Sequence, residues 1–255
     1  QHWFFEQNLD AAWHYNQAVL LEVTKRLNVE VLRRTLEELT RHHDALRLRY
    51  ACEGGAWRQF YTSGEDKDSS FKYVDIAGLD ESERLQRIET HAQSAQASLN
   101  LHHGPLWKVV YFDAGVAQTG RLLIVVHHLA IDGVSWRPLL EDLETAYEQL
   151  DAGQVCRLPG KTSSYKAWSQ ELQAYAMTDA LDKELSYWNA VSKFRVQAGE
   201  VKKAPLATST LNTEEASATV TVSLTNSERE SLLHRVPSVY NSHINDVLLT
   251  ALARA

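Results

Sequence analysis

Cysteine, methionine and basic charge are all scarce in this chain, and each scarcity removes a class of function. The two cysteines among 255 residues, Cys52 and Cys156, lie far apart and outside any metal-ligand spacing. Neither a disulfide framework nor a cysteine-based zinc site is indicated, and a reducing compartment fits. Lys and Arg number 26 against 33 Asp and Glu, for a net charge of -7 and a pI near 5.9. No basic stripe is present to neutralise phosphates, so nucleic acid is excluded as an expected partner, and clusters such as "LRRTL" and "VKK" read as solvated faces. The longest apolar run, "RLLIVVHHLAI", is too short and too interrupted to span a bilayer, so no membrane partner is expected. No signal-peptide pattern of basic, apolar and small-residue regions opens the chain, and a cytoplasmic location is expected. Met177 is the sole methionine, the first residue is Gln1, and the last residues, "INDVLLTALARA", read as helix. The expectation is a piece of something longer.

Apolar residues are plentiful, at 44% of the chain, enough for a sizeable core. Helical and extended patterns interleave without a short repeat or a low-complexity tract, so the class is α/β or α+β. Asn28 can cap a helix reaching about Thr40, with Leu32, Leu36 and Leu39 on one face, and "ALRLRY" then alternates like a half-buried strand. "WRQFYT" and "FKYVDI" read as two short strands. A long amphipathic helix follows from about Asp80, with Leu85, Ile88, Ala92, Ala95 and Leu99 at helical spacing. "LWKVVYF" and "RLLIVVH" read as strands joined by the hairpin-like "DAGVAQTG". After Gly133 a helix places Trp136, Leu140, Leu143, Tyr147 and Leu150 on one stripe. Helical patterns recur around Tyr165 to Tyr175 and Leu181 to Trp188. Residues 195–215 read as a linker, "ATVTVSLT" alternates as a strand, and "NSERESLLHRV" opens like a capping box.

The chemistry-bearing feature is "HHLAIDG", residues 127 to 133, at the end of the most apolar strand. Side chains alternate along a strand, so His127 and His128 point to opposite faces if the strand continues to its end. Asp132 and Gly133 then form the turn into the helix, the glycine supplying backbone freedom and the aspartate a side chain for local bonding. Singly, each residue has a plain structural reading: His127 a hydrogen-bonded core residue, His128 a surface residue, Asp132 a helix cap. Together, four specified residues in this register at a strand-to-helix junction arise by chance in roughly one chain in a thousand. A histidine with its ordinary pKa of about 6.5 can take a proton near neutral pH and return it. "GVSWR" is not the Gly-x-Ser-x-Gly elbow and neither cysteine sits in a catalytic setting, so base catalysis without a covalent enzyme intermediate is indicated. Adjacent strand residues diverge and no carboxylate or His-x-x-x-His spacing completes a ligand set, so no metal is expected there. His42 and His43 in "RHHDALR" sit at a helix end, where cations complement the dipole, and take the structural reading.

"HHLAIDGVSW" followed by "RPLLEDLETAY" resembles the His-His-x-x-x-Asp-Gly core motif of the condensation superfamily of nonribosomal peptide synthetases and, in its extended form, the epimerization domains. "QHWFFEQNLDAAWHYNQAVLLEV", "SLNLHHGPLWKVVYFD", "SYKAWSQELQAYA" and "VPSVYNSHINDVLLTALARA" resemble further stretches of that family in the same order, so the resemblance spans essentially the whole chain. "GVSWR" and "SHINDVLLTAL" favour epimerization over condensation. Pro138 departs from the commonest pattern but is tolerated in a helix's first turn.

The resemblance implies a two-lobed fold similar to chloramphenicol acetyltransferase, each lobe a mixed sheet flanked by helices. It implies an N-terminal lobe over 1–194, a linker over 195–215, and the beginning of an incomplete second lobe over 216–255. It implies His128 as the acid/base, His127 as a support, Asp132 and Gly133 as structural residues at the site, and Ser135 and Trp136 beside the substrate tunnel. The implied reaction inverts Cα of an aminoacyl or peptidyl thioester, L to D, in antibiotic and other secondary metabolism. No cofactor is bound directly: the substrate hangs on the 4'-phosphopantetheine of a peptidyl carrier protein, expected upstream, with a condensation domain downstream. A second acid/base is expected beyond Ala255, and the chain alone is expected to be inactive. The alternatives are a peptide-bond-forming condensation domain and a non-catalytic carrier-protein docking module.

Overall fold

The computed structural model describes residues 2–63, 70–116, 118–197 and 218–254. These fall into two compact units, residues 1–165 and 166–255. In the first unit the order is α1 (His2–Glu6), a 3-10 turn (Ala12–His14), β1 (Asn16–Val23), α2 (Val29–His42), a 3-10 turn (Asp44–Arg47), β2 (Leu48–Glu53), β3 (Ala56–Tyr61), β4 (Phe71–Asp75), α3 (Glu81–Ala97), β5 (Trp107–Asp113), β6 (Gly120–His127) and α4 (Trp136–Asp151). Then come α5 (Tyr165–Ala176) and α6 (Asp179–Gln197) and, after the irregular residues 218–225, α7 (Asn226–Glu230), a π turn (Ser231–Arg235), α8 (Val236–Tyr240) and α9 (Ile244–Arg254).

A four-stranded mixed sheet in the order β1-β6-β5-β4 organises the first unit. β6 runs antiparallel to β1 and β5, and β4 parallel to β5. The near-continuous apolar sequence of β5 and β6 has a direct cause: both faces of these central strands are covered. Trp107, Val109, Tyr111, Leu122, Ile124 and Val126 pack with Leu32, Leu36 and Leu39 of α2 and Leu139 and Leu143 of α4. The alternate residues Val110, Phe112, Leu123 and Val125 form a second core with Ala95 of α3. A separate two-stranded sheet pairs β2 with β3, turned by Gly54 and Gly55, both with positive φ (59 and 81). A two-residue turn with left-handed backbone at both positions suits glycine and matches the twist of a hairpin.

The helix starts are written locally. Asn28 Oδ1 accepts the N–H groups of Glu30 (3.0 Å) and Val31 (3.3 Å), as its position before the Leu stripe predicts. Asp80 accepts the Glu83 N–H at 2.9 Å while the Glu83 carboxylate accepts the Asp80 N–H at 3.2 Å, a reciprocal cap.

Several expectations change. The first half of "ALRLRY" is a 3-10 turn, and the strand begins only at Leu48, because chain reversal after α2 takes up residues 44–47. Leu85 is exposed at 62%; it sits near the start of α3, away from the core contacts of Ile88, Ala92 and Ala95. "ATVTVSLT", residues 218–225, is irregular. A strand needs a partner edge, and the described residues of the second unit contain no strand. The cap of α7 is Thr225, one residue before the expected Asn226, with Glu228 completing the box. The expected linker lies largely outside the described residues. β1 is a strand that the sequence patterns above do not mark.

One buried charge ties the sheet to the β1–α2 connection. Asp113, at the end of β5 and 2% exposed, accepts from Arg26 at 2.8 and 2.9 Å, from the Tyr73 hydroxyl at 3.0 Å and from the Gly115 N–H at 2.9 Å. Burial works to raise the Asp113 carboxyl, but the Arg26, Gly115 and Tyr73 hydrogen bonds outweigh it and hold the group below its ordinary value of 3.8. Its stabilisation is therefore complete above about pH 4 and lost as pH falls through the lowered folded value. Asp113→Asn is expected to cost about 1–3 kcal/mol at pH 7, with the deficit shrinking below about pH 4; urea unfolding at both pH values measures it.

Candidate functional site

β6 ends at His127, and the next residues turn: the Ala130 N–H donates to the His127 carbonyl at 2.8 Å. The two histidines therefore separate because the strand stops between them, not because it alternates past them. His127 is fully buried. Its Nδ1 accepts the Leu129 N–H at 3.1 Å, which leaves the proton on Nε2, donated to the Ala12 carbonyl at 2.9 Å. Phe4 packs edge-on against its ring at 5.6 Å. Burial is the main cause that lowers the His127 pKa to about 4, partly opposed by the Ala12 bond. The ring is neutral and both nitrogens are occupied, the arrangement of a brace.

His128 is half-buried and has a different environment. Its backbone N–H donates to the Tyr15 carbonyl at 2.9 Å, and its ring stacks on Tyr15 with centroids 5.0 Å apart. Nδ1 lies 2.8 Å from the Ile131 carbonyl, an acceptor only, so Nδ1 carries the proton. Nε2 lies 3.2 Å from the Gln17 side-chain nitrogen. The Gln17 oxygen is identified by its other partner, the Trp136 indole N–H at 2.7 Å, so the amide nitrogen faces His128 and Nε2 offers its lone pair. A neutral imidazole whose proton is fixed on Nδ1 is prepared to accept a second proton at Nε2.

The turn beyond is held by its own residues. Asp132 Oδ1 accepts the Ser135 N–H at 2.8 Å and the Ser135 hydroxyl at 2.6 Å; the Ser135 hydroxyl and N–H hold the carboxyl below its ordinary range. Gly133 departs from the expectation of backbone freedom. Its φ lies outside the positive range, and a Cβ there would meet none of the described atoms within 4 Å. His128, Asp132 and Ser135 line a cavity of about 380 Å³ whose walls also include Leu48, Tyr61 and Tyr165. Trp136, expected beside the substrate path, turns its indole N–H to β1 instead of lining this cavity.

A second histidine pair joins α2 to α4. His43 Nε2 is 3.0 Å and His42 Nε2 3.9 Å from Asp142 Oδ2. Among the described residues this is the group that brings three possible ligand atoms, all within 4.8 Å, together. Burial is the main cause that lowers the His43 pKa, with Asp142 pulling the other way. Burial, not the dipole, decides the charge of His43, and its contact with Asp142 links the end of α2 to α4. Among the described residues no helix is long and apolar enough to cross a membrane.

Gln17 and Tyr15 belong to the site without standing out in the sequence. The available signal is the alternation of Val19, Leu21 and Val23, which marks β1 and sets Gln17 on the same face as those residues. Nothing local connects Gln17 to a histidine 111 residues away.

The family model described as Condensation domain matches residues 1–255. Among curated proteins, the chain is 45% and 46% identical over its whole length to two of the subunits of linear gramicidin synthase from Brevibacillus parabrevis, and it spans 5% and 3% of their lengths. Among solved structures it is similar to the epimerization domain from the third module of tyrocidine synthetase B, at 36% identity and a TM-score of 0.83, covering 99% of this chain and 56% of that one. The first condensation domain of the calcium-dependent antibiotic synthetase shares the fold at 19% identity and a TM-score of 0.68, covering 98% and 56%.

The lowered His127 pKa carries a sign that can be tested. Between pH 4 and 6.5 the unfolded chain binds a proton that the folded chain refuses, so this residue makes stability rise with pH across that window. His127→Asn is expected to lower stability at pH 7 and to flatten this rise; urea midpoints at pH 4.5, 5.5, 6.5 and 7.5 measure it.

Proposed function

The chain belongs to the condensation-domain family, and on that premise we propose that it carries the histidine half of an epimerization site in a nonribosomal peptide synthetase. The substrate is an aminoacyl or peptidyl thioester on the phosphopantetheine arm of a peptidyl carrier protein, upstream of a condensation domain. His128 removes the Cα proton through Nε2 and returns a proton there in the reverse direction. A thioester acidifies that proton more than an amide does, and the enolate-like intermediate is stabilised by nearby donors and dipoles. Inversion requires delivery from the opposite face of the carbon, which a second acid/base supplies. His127, braced in the neutral state, is a support, and Asp132 with Ser135 holds the turn that presents His128.

The observation that carries the acid/base role is the fixed proton of His128: Nδ1 bonded to the Ile131 carbonyl and Nε2 left with a lone pair. The choice of epimerization within the family is supported by the 36% identity and 0.83 TM-score to an epimerization domain across 99% of the chain and by "GVSWR" after the core motif.

The intact protein, offered an L-aminoacyl carrier in deuterated water, is expected to incorporate deuterium at Cα and form the D product. His128→Ala is expected to lower that exchange by about 100-fold or more, with unfolding midpoints near wild type because the ring is only half-buried. Amide formation with a second loaded carrier, without label, would replace epimerization by condensation. Gly133→Ala is expected to leave the free energy of unfolding within about 0.5 kcal/mol of wild type, since a Cβ there meets none of the described atoms within 4 Å.

A further inference from the structure

We propose that Gln17 is a positioning residue that selects the proton-accepting form of His128, with Trp136 selecting the orientation of Gln17. The proposal rests on the acid/base reading of His128 and adds the group that enforces it. The indole N–H of Trp136 can only donate, so at 2.7 Å it pairs with the amide oxygen of Gln17. The amide nitrogen is then turned to His128, 3.2 Å from Nε2. That nitrogen can only donate, so it meets a lone pair, never an N–H. Reversing the amide would set two donors, NH₂ and indole N–H, against each other. The reversed amide would also give Nε2 an oxygen, an acceptor that stabilises a proton there. With the Ile131 carbonyl already accepting from Nδ1, the ring would then become an imidazolium unable to act as a base. One fixed donor on α4 thus ensures, through a single amide on β1, that Nε2 of His128 faces a donor and keeps its lone pair, while the Ile131 carbonyl holds the proton on Nδ1. Substrate entering the site takes the place of the Gln17 amide at Nε2 and finds the lone pair prepared.

Three changes separate this role from a packing role. Gln17→Glu offers oxygens to both the indole and Nε2 and is expected to convert Nε2 from acceptor to protonated donor. Gln17→Ala removes the amide while the Ile131 carbonyl still accepts from Nδ1, and Trp136→Phe frees the amide to turn over. In the intact protein labelled with 15N-histidine, long-range proton–nitrogen spectra are expected to show His128 of wild type protonated on Nδ1 alone. Gln17→Glu is expected to show protons on both nitrogens, Trp136→Phe a mixture of that form and the wild-type one, and Gln17→Ala, where the Ile131 carbonyl still accepts from Nδ1, the wild-type pattern. Cα deuterium exchange is expected to fall about 100-fold in Gln17→Glu and about 10-fold in Trp136→Phe, within the range of a general base disabled or misdirected, and to change little in Gln17→Ala. An unchanged Nδ1–H pattern in Gln17→Glu and Trp136→Phe, with circular dichroism confirming the fold, would overturn the proposal. The spectra read the ring without turnover. If wild type exchanged no Cα proton while the pattern shifted as expected, the epimerization reading would fall and this assignment would stand. Exchange that depends on His128 with no change of pattern would do the reverse.

Discussion

The imidazole of His127, bonded at one nitrogen to the Leu129 N–H and at the other to the Ala12 carbonyl, is the contact on which the site depends. It joins the N-terminal 3-10 turn to the end of β6, where the strand stops and the chain bends toward α4. Removing either bond would leave a polar group unsatisfied in a fully buried position, at a cost of about 1–3 kcal/mol. Because Ala12 is held there, Tyr15 follows in the place where its carbonyl accepts the His128 N–H and its ring stacks on His128. The position of the His128 ring is thus inherited from its neighbour's refusal to ionise.

The two histidines differ by environment, not by chemistry. One is stripped of water and satisfied in its neutral form, so burial holds its pKa near 4. The other borders a cavity and keeps one nitrogen bonded to a carbonyl and the other to an amide. The same separation runs through the sheet. β5 and β6 are apolar on both faces because α2 and α4 cover one and α3 the other, and such a rigid two-sided core permits a polar turn to be held at its rim without collapsing onto it.

What could be read in the sequence was what local periodicity encodes. α2, α3 and α4 follow from their apolar stripes, Asn28 from its place before one of them, and the junction at His127 to Gly133 from the collision of a strand pattern with a helix pattern. What was illegible depended on distant partners. Gln17 acquires meaning only when β1 lies beside β6, and Trp136 only when α4 brings its indole to Gln17. Residues 218–225 alternate like a strand, yet the described residues of the second unit contain no strand for them to pair with, since alternation expresses a preference that pairing must complete. Gly133 looks like a conformational necessity and is not one; the reason for a glycine there is not in this unit's backbone.

β1 lies at one edge of its sheet and, among the described residues, pairs with β6 alone. Edge strands keep a row of unpaired backbone groups and open more readily than central ones. The amide that aims His128 is therefore carried by an edge strand of the sheet, while the brace behind it sits at the end of a central one. The precision of the proton-accepting nitrogen is that of a sheet margin, and anything that stiffens or extends that margin tunes the site without touching it.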